Sequence, residues 1–394
     1  MEIKTLGSTT MLGRALNQET IMDFSGRMAG ICYQKESLDT ILTEPTSSTI
    51  ERATVALEKG RHREFGHACV TLYLEGAPKI LAMILNNERV YNTSENYVHH
   101  SAPVSQGLEL ELYLKWKDAF LNKIMVTYPD MDSKLALRYA QEHATYLISV
   151  FSPSTNMAYT TSVRQLNYLV GWMEKFVGMD AEQRGLPREF SNRLAEVFVE
   201  FMNKIDKNLL VPGLEDTKGR GFSLFTKRIR ETEWGENYCV TYYGSFAQLA
   251  LAQRYRTLLY EFSFMNLEDL AEAKIQFYIP PILRGDKELQ RLWLRDAENL
   301  ESNFPQGTLL RITERGTVEN FIMKCSEQLC GQAPLDVCTQ TALTLYKYYW
   351  STIGKDSVQE ELAPYVNSPR CRTCEIECKT PCYFGSENVF TRLV

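Results

Sequence analysis

Four cysteines near the carboxyl end, Cys371, Cys374, Cys378 and Cys382, are separated by gaps of two, three and three residues in the run SPRCRTCEIECKTPCYFG. Thiolates that close together can wrap a tetrahedral zinc ion or, less readily, an iron–sulfur cluster. The spacing is not that of two Cys-x-x-Cys pairs parted by a longer loop, so a reduced, structural tail is the competing reading. The other six of the ten cysteines are scattered or sit in helical patterns, and read as small apolar core residues. Arginine carries a second chemistry. Arg254 and Arg256 flank Tyr255, and Arg89, Arg164 and Arg315 are spread along the chain. A guanidinium fork pairs bidentately with phosphate and can stabilise an enolate-like anion.

The arginine pair sits on a repeated element. Gly66 to Tyr97 reads GHACVTLYLEGAPKILAMILNNERVYNTSENY, and Glu236 to Phe264 reads ENYCVTYYGSFAQLALAQRYRTLLYEFSF. In both, a Cys-Val-Thr triplet opens an apolar run, a glycine closes it (Gly76, Gly244) and an Ala/Leu-rich segment follows. Strand, turn and helix is the natural reading of each. Ten residues beyond each glycine stands a polar cluster, Asn86-Asn87-Glu88 in the first copy and Arg254-Tyr255-Arg256 in the second. A repeat with polar residues at its equivalent point suggests two related sites or one shared site.

At these residues the sequence resembles the flavin-dependent thymidylate synthase family, whose signature is Arg-His-Arg followed by a serine eight residues on. Arg254-Tyr255-Arg256 keeps both arginines and replaces the histidine; Ser263 stands one residue short of the expected serine. ILNNERVYNTSENY is similar to a variant found in anaerobe members, although Tyr97, Val98 and His99 stand where that variant continues into Ser and Arg. The resemblance implies an α+β fold of two tandem synthase-like α/β units forming a pseudodimer: residues 1–210, residues 220–365 and a Cys-rich tail over 366–394. It implies FAD contacts at His67, Asn87, Glu88, Arg254, Tyr255 and Arg256. For the nucleotide it implies Arg89, Ser94, Arg164 and Arg315, with Arg164 in an Arg-x-Leu helix that follows the turn at Pro153. The implied reaction is C5 methylation of dUMP, with NADPH and methylenetetrahydrofolate as co-substrates, in a homodimer of tandem units. The family's Ala-Gln-x-Glu-x-Arg pattern is replaced by Ala333-Pro334-Leu335-Asp336-Val337-Cys338, which fits a changed substrate, a hydroxymethyl product, or a non-catalytic binding or scaffolding relative.

Composition sets the limits. With 394 residues, 44% apolar and 23% charged, the chain can bury a large core and is long enough for two domains. A net charge of -6 argues against nucleic acid, whose binders carry a basic face. No apolar run approaches the roughly 20 residues that span a bilayer, and MEIKTLGSTTMLGR lacks the apolar core of a signal peptide, so a cytoplasmic location is expected.

In order, residues 1–50 are mixed in character. Ser48 to Lys59 reads as a helix with Ser48 and Glu51 as a capping box and Gly60 as its end. Helices are expected over Glu109 to Ile124, Ser133 to Ile148, Glu189 to Asp206 and Lys287 to Asn299, and Pro212 to Gly221 marks the boundary between halves.

Overall fold

A computed structural model of the chain describes residues 1–9, 14–33, 37–88, 91–96, 106–216, 221–225, 237–253, 257–264, 276–354, 356–373 and 382–394. The protein is mixed helix and sheet, and it divides into two compact units that interleave along the chain: residues 1–97 with 153–223, and residues 98–152 with 224–394. The first unit opens with strand β1 (Glu2–Thr9), helices α1 (Gln18–Tyr33), α2 (Leu38–Thr43) and α3 (Thr46–Glu58), strand β2 (Cys69–Ala77), helix α4 (Lys79–Leu85) and strand β3 (Tyr91–Asn96). The chain then gives the second unit α5 (Leu108–Thr127) and α6 (Ser133–Ala144), and returns to the first for β4 (Thr155–Ser162), α7 (Val163–Gly178) and α8 (Arg188–Lys204). The second unit is completed by β5 (Asn237–Ser245), α9 (Phe246–Ala252), β6 (Leu259–Phe264), α10 (Lys287–Glu298), β7 (Leu309–Thr317), α11 (Val318–Gln328), α12 (Leu335–Ser351), α13 (Asp356–Leu362) and α14 (Arg370–Thr373).

In the first unit an antiparallel sheet runs in the order β1-β2-β4-β3. Alternation along β2 sends Val70, Leu72 and Leu74 into the core, as a half-buried strand requires. Helix α4 is buried on every side, Lys79 included, and the Lys79 ammonium is met by Glu95 of β3. Helices α1 and α3 approach so closely at Gly26 that a Cβ there would lie 1.9 Å from the Thr49 carbonyl oxygen.

The second unit has the antiparallel order β5-β7-β6. Each unit therefore contains strand, short helix, strand, and then a central strand leading directly into a longer helix; β1 is an addition to the first. Trp116 and Phe120 of α5 pack edge-on against Trp293 of α10, with ring centroids 4.9 and 5.3 Å apart. Each such ring, fully buried, contributes on the order of 1.5–3 kcal/mol. Backbone bonds explain why residues 98–152 belong here although they precede the second repeat: Gln306 and Gly307 N–H donate to the Ile148 and Tyr146 carbonyls at 2.7 and 2.6 Å.

Two local expectations are corrected. The capping box at Ser48 and Glu51 does not form: α3 begins at Thr46, with Pro45 as its N-cap and no side-chain cap bond. Proline's fixed φ and extended ψ launch the helix upstream of Ser48, and Pro78, Pro187 and Pro334 launch α4, α8 and α12 in the same way. Residues 2–9, which carry no clear pattern, form β1 because β2 offers them an open edge. Gly60 ends α3 as expected, with φ +65°.

Candidate functional site

The start of α7 is the point in the first unit where site-forming side chains gather. Ser162 ends β4 and caps the helix, its hydroxyl accepting the Gln165 N–H at 3.1 Å. Val163 N–H donates to the Ala68 carbonyl at 2.7 Å, which ties the helix start to the lead-in of β2. Arg164 follows in the first turn. Its guanidinium lies over Gly66, where a Cβ would sit 3.7 Å from Cζ. The residue is half-buried, its Nε is buried without a hydrogen-bond partner, and no carboxylate pairs with it among the described residues. His67, the next residue after Gly66, is exposed. Of the positions expected from the resemblance, Arg164 thus lies against the residue that precedes His67.

Two further residues complete this cluster. Tyr168, one helical turn beyond Arg164, lies 2.9 Å from His62 Nδ1 through its hydroxyl. Burial above all lowers the His62 pKa; the Arg164 charge acts the same way, while the Leu57 carbonyl, Asp216 and Glu215 oppose it. A neutral imidazole results, suited to hydrogen bonding beside a cation. Burial raises the Tyr168 pKa, with Arg164 opposing and Asp216 assisting. His62 is visible in the sequence beside His67, and the four-residue step from Arg164 to Tyr168 is the signal that could have found the tyrosine.

The Asn86-Asn87-Glu88 cluster is turned to a different task. Asn86 caps α4 and donates to Glu95 at 3.2 Å. Asn87 Nδ2 donates to the Ser223 hydroxyl at 2.9 Å, and the Glu88 carboxylate accepts from the Ser223 hydroxyl at 2.8 Å and from its N–H. Glu88 is wholly buried. These side chains hold residue 223 against the end of α4. Ser94 is exposed on β3, the sheet edge, opposite Ala158. Arg89 lies outside the described residues.

In the second unit Arg315, on β7, pairs with Glu261 of β6 at 2.7 Å. Cys239 stands beside it in register; burial raises that thiol's pKa and the Arg315 charge opposes. One strand position on, Glu314 is wholly buried and accepts from Tyr238 at 2.6 Å, Tyr242 at 3.2 Å and Lys324 at 2.7 Å. Burial, and next the Glu314 charge, push both phenols far above their usual range. Arg254, Tyr255 and Arg256 lie outside the described residues, as do Cys374 and Cys378. Cys371 is exposed on α14 and Cys382 half-buried; among the described residues no three metal-ligating side chains converge. Among them, too, no helix is long and apolar enough to cross a membrane.

No family model and no curated protein matches the chain. Among solved structures it is similar to the flavin dependent thymidylate synthase ThyX from Helicobacter pylori complexed with FAD and dUMP. The two are 12% identical, the match covers 53% of this chain and 99% of that one, and the TM-score is 0.29, a likeness too weak to carry an argument.

Proposed function

We propose that the chain is a flavin-dependent enzyme that modifies C5 of a pyrimidine nucleotide, in the simplest form converting dUMP to dTMP with methylenetetrahydrofolate and NADPH. The observation that carries this reading is Arg164: a half-buried guanidinium with a buried, unbonded Nε, set in the first turn of a helix against Gly66, which precedes the exposed His67. A half-buried cation that no carboxylate pairs with among the described residues, in the first turn of a helix, suits an anionic oxygen. The sequence resemblance puts nucleotide and flavin contacts at Arg164 and His67. These residues fit a phosphate of either ligand; Arg164 would bind it, the neutral His62–Tyr168 pair would flank it, and His67 would close the rim. Reduced FAD, when bound, supplies hydride and carries the one-carbon unit. Two tandem units per chain, paired in a homodimer, would give the four-unit assembly that the resemblance implies.

A second reading, a non-catalytic binding or scaffolding relative, is favoured by Asn87 and Glu88, which are engaged with Ser223, and by Arg315, which is engaged with Glu261. Visible absorption during FAD titration, followed by dUMP, separates the two. Uptake of FAD with a shift of its bands on adding dUMP is expected; a protein that ignores saturating FAD contradicts the enzyme reading.

A further inference from the structure

The loop between α11 and α12 brings a thiol from the C-terminal segment against the glycine that follows Cys330. Cys330 precedes Gly331, Cys338 lies in the first turn of α12, and Cys382 arrives from the C-terminal segment. A Cβ on Gly331 would lie 2.4 Å from Cys382 Sγ and 3.3 Å from its Cβ, so the thiol rests on the backbone of the residue next to Cys330, a place that only glycine leaves open. The segment is fastened to the same loop: Arg392 donates to the Gly331 carbonyl at 2.9 Å and to that of Ala333, and Arg370 N–H donates to the Leu329 carbonyl at 2.6 Å. Cys330 and Cys382 are both half-buried and within reach of a small reagent, whereas Cys338 is buried.

We propose that Cys330 and Cys382 form a redox-sensitive dithiol that a low-molecular-weight disulfide, such as oxidised glutathione, converts into a bond tying the C-terminal segment to the α11–α12 loop. Cys330 thiolate attacks one sulfur of the reagent, forming a mixed disulfide and releasing one thiol. Cys382 thiolate then attacks the Cys330 sulfur, expelling the second. Two protein thiols are oxidised, one disulfide is reduced to two thiols, and the two protons pass to the departing thiolates. Arg392 and Arg370 hold the partners in register, so the second step is intramolecular and displaces glutathione.

The test uses the full chain, incubated with oxidised glutathione, blocked with iodoacetamide and digested without reductant. Mass mapping is expected to find the Cys330 and Cys382 peptides joined with loss of two hydrogens, and dithiothreitol to separate them. In C330S and in C382S the joined pair is expected to be lost, with glutathione retained on the remaining cysteine. Glutathione retained on both cysteines of the unaltered protein, or Cys382 joined to any other cysteine, overturns the proposal.

Discussion

The two central strands end alike and diverge within one helical turn. β4 runs into α7 through Ser162-Val163-Arg164, and β7 into α11 through Thr317-Val318-Glu319. The hydroxyl caps the helix in both, accepting the Gln165 N–H at 3.1 Å and the Asn320 N–H at 3.4 Å. The next charge is opposite. In the first unit it is a cation that pairs with no carboxylate among the described residues; in the second it is an exposed carboxylate, its pKa lowered first by the Thr317 hydroxyl. Three residues before the cap, Tyr159 is buried in one unit and Glu314 in the other; seven after it, buried Leu169 answers to Lys324. The first unit has a half-buried cation at its helix start, whereas the second exposes Glu319 there and buries the Glu314–Lys324 pair behind it. The same frame thus carries a half-buried arginine at one helix start and a polar core beneath the other.

The comparison breaks most severely at the buried pair. Glu314→Ala leaves the Lys324 ammonium buried and unpaired, and should cost about 3–5 kcal/mol in urea unfolding. Tyr159→Phe at the equivalent point of the first unit removes a neutral hydroxyl that bonds the Leu85 carbonyl at 3.5 Å and the Thr161 side chain, and should cost about 1 kcal/mol. Equal losses would show that the two positions are not opposite solutions.

Acid separates the units next. His143 of the second unit is buried, neither ring nitrogen has a hydrogen-bond partner among the described residues, and burial, aided by Arg392, lowers its pKa to about 3 from 6.5. The unfolded chain therefore binds this proton more readily between those values. Stability is held above about pH 6.5 and falls as pH drops, at about 1.4 kcal/mol per pH unit from this group. His143→Phe should remove that slope, read as the difference between variant and unaltered protein in urea midpoints at pH 7, 6 and 5. A parallel pair of curves would show that His143 does not titrate on unfolding. The smallest effect is symmetric: Ser162→Ala and Thr317→Ala should each cost about 1 kcal/mol, because the caps are alike.

The repeat was legible because its signals are local. Cys-Val-Thr, the closing glycines and the Ala/Leu segments sit within about thirty residues, and they became β2–α4 and β5–α9. What could not be read depends on distant partners. Residues 98–152 precede the second repeat by a long stretch, yet bond to 304–307. The Glu88 side chain looks like a ligand group until Ser223, far along the chain, arrives to take it. Of the site, Arg164 and His67 were visible as residue types, but the approach of Gly66 to Arg164 required the fold.

Isothermal calorimetry of dUMP binding to the FAD-saturated chain tests the central claim most directly, with Arg164→Ala and Arg315→Ala beside the unaltered protein. One site per chain is expected. It should weaken by about 1.5–3 kcal/mol, roughly tenfold to a hundredfold, in Arg164→Ala and stay unchanged in Arg315→Ala. Two equivalent sites per chain, or an affinity that does not respond to Arg164→Ala, would contradict it.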